Sequence, residues 1–340
     1  MTAILDVTPA EATARVSAWL AEQNEPGFRV NQIVPRLWQR PVRSWSDATD
    51  LPAELRARLE EAFPLPVPEL LRREESADGT VKFLWRVGGT ASIESVWIPG
   101  RRRRTLCISS QEGCAYGCTF CATGTMGFLR HLTPSEIAGQ VREMAFLTEE
   151  FARPTNIVFM GMGEPLHNWK GVDTALTILN DAMGLGIGAR SITVSTIGLI
   201  PGLKQLAARP EQFGVAWSLH AAVPSSRATL MPIENKYPLA KIQKAMKMFS
   251  RRVTLEYVMI EGVNDSDEDA EALAAIALDL RGHVNLLPLH PGGAKDLRPS
   301  TPNRIAAFAK LLRSKRVNVT VRTSRGLDIN AACGQLRTAG

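Results

Sequence analysis

Cys114, Cys118 and Cys121 stand at C-x3-C-x2-C spacing inside the stretch Thr105 to Arg130, TLCISSQEGCAYGCTFCATGTMGFLR. Three soft thiolates on one short loop are the ligand set of an iron–sulfur cluster. A cluster that only carries electrons takes four cysteines, so three leave one iron without a protein ligand and open to a substrate. The other use of these thiolates is a structural zinc site, with Cys107 or His131 as the fourth ligand. Zinc ribbons usually bring two CxxC pairs from two separate turns, a pattern this chain lacks.

The elements that must position such a loop are abundant. The chain has 340 residues, 45% of them hydrophobic, enough for one large domain and a smaller one. No run reaches the apolar length of a membrane span, and the start MTAILDVTPAEATARV lacks the basic and apolar regions of a signal peptide, so a cytoplasmic location is expected. Five cysteines, an odd count with three clustered, argue against a secreted disulfide framework and for thiol or metal chemistry in a reducing compartment. The formal net charge is +6, and four arginines, Arg101 to Arg104, run together just before Cys107. Such a run serves either as a solvated loop or as a polyanion contact, and its position beside the cysteine loop favours RNA.

Helical spacing of apolar residues predicts helices over Pro9 to Gln23, Val30 to Arg40 and Leu51 to Phe63, the last with Asp50 as cap. Residues 1–65 therefore read as a helical N-terminal unit, with Arg29, Arg36, Arg40 and Arg43 as candidate phosphate contacts. Residues 66–100 read as a linker, PLPVPEL at Pro64 to Leu70, followed by a β-hairpin of Val81 to Val87 and Ala91 to Trp97 around Gly88-Gly89. Over residues 101–340 apolar strand-like runs alternate with helical ones: TLCIS, then Pro134 to Glu149, NIVFMG, SITVST, GVAWSLH, VTLEYVMI, HVNLLPLH and VNVTVR with helices between. This predicts an α/β fold with a parallel sheet, closed or partly closed as a (β/α) barrel, and functional groups where strands end. The unusual residues do gather there: the cysteines, Gly161 to Pro165, Ser195, Ser218 to His220, Asn264-Asp265 and His290.

Together with SSQEGC, MGMGEP, TVSTIGLIP, SLHA, EYVMIEGVND and RGLDINAACGQL, the cysteine loop resembles the radical-SAM RNA adenine methyltransferases of the RlmN and Cfr group, from about Phe28 to Leu336. The resemblance implies a partial TIM-like radical-SAM barrel, a 4Fe-4S cluster on Cys114, Cys118 and Cys121, and S-adenosylmethionine whose amino and carboxylate groups take the open iron. One-electron reduction would then yield a 5'-deoxyadenosyl radical, chemistry of the cofactor that the protein orients. Gly163, Glu164, Ser195, Ser218, Leu219, His220 and His290 match positions that hold S-adenosylmethionine, although the family usually has asparagine where this chain has His290. Singly, a serine or histidine at a strand end more often satisfies backbone groups.

By the same resemblance Cys333 becomes S-methylcysteine, Cys107 is the resolving thiol that ends disulfide-bonded to it, and Glu94 accepts the adenine proton. The expected reaction is methylation of adenine C2 in 23S ribosomal RNA, with transfer RNA as a further substrate, at a base splayed out of any helix. Methylation at C8 is the nearest rival, and an iron–sulfur electron carrier or a zinc-stabilised RNA-binding module is the rival from another class. The expected electron source is a flavodoxin- or ferredoxin-type reductant, and the expected state is a monomer without membrane contact.

Overall fold

The computed structural model describes residues 2–89, 91–147, 151, 153–294 and 296–338. Its centre is seven strands that run parallel in the order β4 (Thr105–Cys107), β7 (Asn156–Phe159), β8 (Ile192–Thr196), β9 (Gly214–Ser218), β10 (Thr254–Met259), β11 (His283–Pro288) and β12 (Asn318–Val321). Strands covered on both faces lose their polar alternation, which is why NIVF, GVAWS and TLEYVM are nearly continuous apolar runs. Helices connect most of them, among them Trp169–Asn180, Ile200–Ala207, Leu239–Met246, Asp267–Asp279 and Pro302–Ser314. Their starts are written in the sequence: Thr133 with Glu136, and Ser266 with Asp269, form reciprocal capping boxes.

Three antiparallel strands, β1 (Glu69–Glu75), β2 (Val81–Val87) and β3 (Ala91–Ile98), extend the same sheet beyond β4. The sheet thus stretches from β1 to β12 as an open, partial barrel. A separate two-stranded ribbon, β5 (Gln111–Gly113) with β6 (Phe128–His131), brackets the cysteine loop. Among the described residues no helix is long and apolar enough to cross a membrane.

Several local expectations are corrected. The stretch read as linker already enters β1, an edge strand whose exposed charged residues leave no alternation to read. The Val30 to Arg40 helix is two short turns, Val30–Ile33 and Pro35–Trp38, because Pro35 has no N–H to continue the ladder. Asp50 does not cap the helix Ala53–Ala62 but pairs with Arg36 at 2.6 Å, and Pro52 takes the cap position. The helix from Pro134 ends at Arg142 and tightens into a 3-10 turn over Glu143–Leu147; its expected end at Glu149 lies outside the described residues. The N-terminal helical segment packs on the barrel through Asp6, which accepts the Ser135 N–H at 2.8 Å, and Leu37, whose carbonyl accepts Arg142 Nε at 2.7 Å.

Candidate active site

At the C-terminal ends of the parallel strands lies a cavity of about 470 Å3. Cys114, Cys118 and Cys121 form part of its wall, as do Gly163, Glu164, Ser195, Ser218, His220, His290 and Cys333. The cysteine loop hangs between its neighbours by backbone bonds. Cys114 N–H donates to the Gly127 carbonyl (2.8 Å), Thr119 N–H to Leu230 (3.0 Å), Ala294 N–H to Thr119 (2.7 Å) and Ala122 N–H to Gly334 (2.7 Å). A Cβ on Gly293 would stand 2.2 Å from the Thr119 carbonyl, so only glycine lets the 291–293 loop lie this close.

Burial pushes the Cys114 thiol up to about 12 and raises Cys118 and Cys121 as well. Three thiols that burial holds in the neutral form need a cation beside them to become thiolates. Among the described residues no three His, Cys, Asp or Glu side chains converge on one point as a single metal ion demands. Three soft thiols on one cavity wall are the donor set of an iron–sulfur cluster, and Cys107 and His131, the candidate fourth ligands of a zinc site, are absent from that wall.

After β7 the chain turns through Gly163 at φ +96°, where a Cβ would lie 2.5 Å from the Gln111 Cβ. Gln111 Oε1 accepts the Glu164 N–H at 2.7 Å. The buried Glu164 carboxylate accepts N–H bonds from Leu166 and Ile197, both at 3.0 Å. Burial outweighs these bonds and raises its pKa to about 7. A carboxylate held this way ionises readily only beside a cationic ligand. Ser195 and Ser218, at the ends of β8 and β9, place their hydroxyls 3.2 Å apart on the same wall.

His220 has left-handed φ (+55°) and accepts the Val258 N–H at Nδ1 (3.1 Å), leaving Nε2 as the protonated nitrogen. Burial, with Arg227 adding to it, lowers its pKa to about 3, so the ring is neutral. Arg227, fully buried, braces the rim: it donates to the carbonyls of Leu219 (3.2 Å) and Ile197 (3.0 Å) and pairs with Glu234 at 2.6 Å. Leu219 is not in the cavity wall; its side chain is core. His290 is in the wall, with Nε2 at 2.5 Å from Ser324 Oγ.

Cys333 lies in the wall shared by the three loop cysteines, on a C-terminal segment that turns through left-handed Gly326, Asn330 and Gly334. It keeps solvent-accessible surface, but the dense surroundings raise its thiol pKa, with Glu256 adding and Arg322 opposing. Hydrogen bonds tie the segment on both sides of Cys333. Ser76 Oγ donates to Asp328 (2.6 Å), Gly326 N–H to Asp78 (3.0 Å), Thr123 Oγ1 to the Leu336 carbonyl (2.6 Å) and Arg337 N–H to Glu94 Oε2 (2.9 Å). Glu94 itself is buried and paired with Lys82 at 3.1 Å, which offsets part of the burial that raises its pKa; it is not in the cavity wall. Cys107 is a buried β4 residue absent from the cavity wall, its thiol pushed up by burial with Cys333 adding; all five cysteines are free.

Sequence reasoning missed Glu256, Arg322, Ser324 and Thr80, which also line the cavity. Glu256 is buried and accepts Asn285 Nδ2 at 2.9 Å. Its signal was a lone carboxylate inside the apolar run TLEYVM.

Residues 108–274 match the family model of the Radical SAM superfamily. The chain is 56% identical over 335 residues to a probable dual-specificity RNA methyltransferase RlmN of Gemmatimonas aurantiaca, covering 98% of this chain and 93% of that one. It is 42% identical over 336 residues to the dual-specificity RNA methyltransferase RlmN of Anaeromyxobacter dehalogenans, covering 96% and 90%. A crystal structure of a radical SAM methyltransferase from Sphaerobacter thermophilus superposes with TM-score 0.93 at 42% identity over 99% of both chains. With thiols, glycine turn and tail cysteine brought to one cavity and relatives matched over nearly their whole length, the chain belongs to the RlmN family of radical SAM RNA methyltransferases.

Proposed function

We propose that this protein methylates C2 of an adenine in RNA through S-methylation of Cys333. The observation that carries the reading is that Cys333 and the cysteine triplet, more than 200 residues apart in sequence, line one cavity. Cys114, Cys118 and Cys121 would hold a 4Fe-4S cluster, and Glu164, Gly163, Ser195, Ser218, His220 and His290 would surround S-adenosylmethionine. Leu219 holds its place through the Arg227 bond to its carbonyl and supports the rim from behind. When bound, cluster and cofactor supply an electrophilic methyl group and, after one-electron reduction, removal of a hydrogen atom.

The residues of the chain do the rest. Cys333 takes the methyl by displacement at the sulfonium, losing its own proton. The methyl carbon, once a hydrogen atom short, adds to the electron-poor amidine carbon C2. Neutral His220 and the Ser195–Ser218 hydroxyls orient polar groups without adding charge that the radical step would have to carry. Glu94 takes the C2 proton, for which it exchanges its bond to the Arg337 amide, and the adduct would return its unpaired electron to the cluster. Cys107 then forms a sulfur–sulfur bond to Cys333 as the carbon–sulfur bond to the base breaks, and two electrons restore the thiols.

Arg101, Arg102 and Arg103, all exposed, and the helical unit of residues 1–65 are our candidates for RNA contact, on 23S ribosomal RNA and transfer RNA. A flavodoxin- or ferredoxin-type protein as electron source, a monomeric enzyme and a cytoplasmic location complete the reading. The test is mass spectrometry of nucleosides from RNA treated with the reconstituted enzyme. It should read 2-methyladenosine, and 8-methyladenosine would replace the proposed position. Cys107→Ala should accumulate a covalent protein–RNA adduct visible on a denaturing gel; free, normally methylated RNA would refute its resolving role.

A further inference from the structure

The β5–β6 ribbon touches the cysteine loop from outside the cavity. Phe128 pairs across from Gly113, Cys114 N–H donates to the Gly127 carbonyl at 2.8 Å, and a Cβ on Gly113 would lie 1.9 Å from that oxygen. Ribbon and first cysteine are therefore locked together. On this ribbon Phe128 and Leu129 are 39% and 60% exposed. Phe128 and Leu129 are consecutive apolar residues left partly open on a short surface strand, and covering the area they still show to water would contribute about 25 cal/mol per Å2.

Their surround is aromatic and polar. The Phe128 ring lies 4.9 Å from that of His131 and 5.4 Å from that of His167, and Tyr116, within the cysteine loop, meets His167 edge-on at 5.4 Å. Gln111 Nε2 stands 3.0 Å from His131 Nδ1 and 3.1 Å from His167 Nδ1, fixing both rings. Ala115 and Gly117 are exposed, so here the loop backbone itself reaches the surface. Phe128, Leu129, His131 and His167 are all absent from the cavity wall, and a partner seated on them leaves the cavity to cofactor and base.

We propose that the Phe128–Leu129 face of the ribbon is the docking surface of the electron donor, a small acidic one-electron carrier protein. This rests on reading the cysteine triplet as iron–sulfur ligands. Electrons must enter next to the triplet by a route that bound RNA does not block, and this surface is continuous with Cys114. Electron-transfer encounters bury under about 1,200 Å2 in total, whereas a stable dimer needs about 1,600 Å2. Two apolar side chains inside a polar surround suit the smaller class. Arg130 is engaged by Glu136 and Glu112, while Lys236, exposed and within electrostatic reach of His167, leaves positive charge at the edge for an acidic partner.

The experiment compares wild-type holoenzyme with F128E/L129E and with the milder L129S, driven either by flavodoxin and its reductase or by dithionite, which needs no docking. Flavodoxin-driven methylation by F128E/L129E should fall about tenfold or more, with dithionite-driven methylation within about twofold of wild type. L129S should lose less, in the same direction. Calorimetric titration of flavodoxin into the cluster-free proteins at low salt should show the same loss of affinity. Unchanged flavodoxin rates and binding would overturn the proposal. So would equal losses with both electron sources, which would assign the face to RNA or to folding, or a wild-type dimer in sedimentation that the variant dissolves. Reconstituted wild-type protein without iron would sink the cluster reading alone, because the titration with cluster-free protein tests the surface independently.

Discussion

On one wall of the cavity Gly163, Glu164 and His220 are fixed by buried bonds: Glu164 to two amides, His220 to the Val258 amide, the strand ends to fully buried Arg227. In the same cavity Cys333 keeps solvent access on a segment with three left-handed residues, and the bonds that hold it are mixed, exposed at Asp328 but buried at Ser76, Thr123 and Glu94. Buried bonds in a low-dielectric interior hold one geometry, while exposed ones exchange with water at little cost. The difference teaches that the cofactor side is held from within the barrel, whereas the thiol is held by tethers at either end of its segment and is itself open to solvent. Cys333 has several positions to visit in the proposed reaction, including one beside Cys107.

The sharpest break of this comparison removes one thiol from the cysteine loop and, separately, the thiol of the tail. Cys118→Ser should lose bound iron and all methylation, whereas Cys333→Ala should lose methylation while keeping iron and its visible absorbance. Loss of iron from both would mean that the tail is part of the fixed wall. Next comes Gly163→Ala. An alanine at φ +96° with its Cβ against Gln111 should cost about 1–3 kcal/mol, read as about a tenfold to hundredfold weaker affinity for S-adenosylmethionine in a binding titration.

Glu164 sharpens the same wall by pH. With its pKa near 7 in the ligand-free protein, it must lose a proton to accept hydrogen bonds from the amino group of S-adenosylmethionine. S-adenosylmethionine affinity should therefore rise about tenfold per pH unit up to 7 and level off above it, and Glu164→Gln should flatten the curve. The smallest effect belongs to the tail: Ser76→Ala removes one of its several tethers, the bond to Asp328, and should change methylation by only about twofold. A collapse there would show the tail to be as rigid as the cofactor side.

What the sequence showed beforehand follows this division. Cys114, Cys118, Cys121 and the GMGEP turn are legible because their chemistry dictates residue types at fixed short spacing, and the seven parallel strands because double burial strips their polar residues. Thr80 and Arg322 were not legible, since their place in the cavity depends on the 76–80 turn folding back on residues 326–328, about 250 positions away. Residues β1 contributes to the sheet edge were hidden for a different reason: they are charged, exposed and without period. Glu94 was legible by motif, but its bond to the tail amide was not.

The glycine loop at 291–293 has one more consequence. It packs against Thr119 of the cysteine loop on one side, and on the other a Cβ at Gly292 would stand 3.1 Å from the Gly334 carbonyl, the same oxygen that Ala122 N–H bonds. The cysteine loop and the tail therefore share a seam, and by reciprocity whatever orders one favours the order of the other. A substitution at Gly292 or Gly293 would therefore disturb the cysteine loop and the tail together, through a seam that carries no side chain of its own.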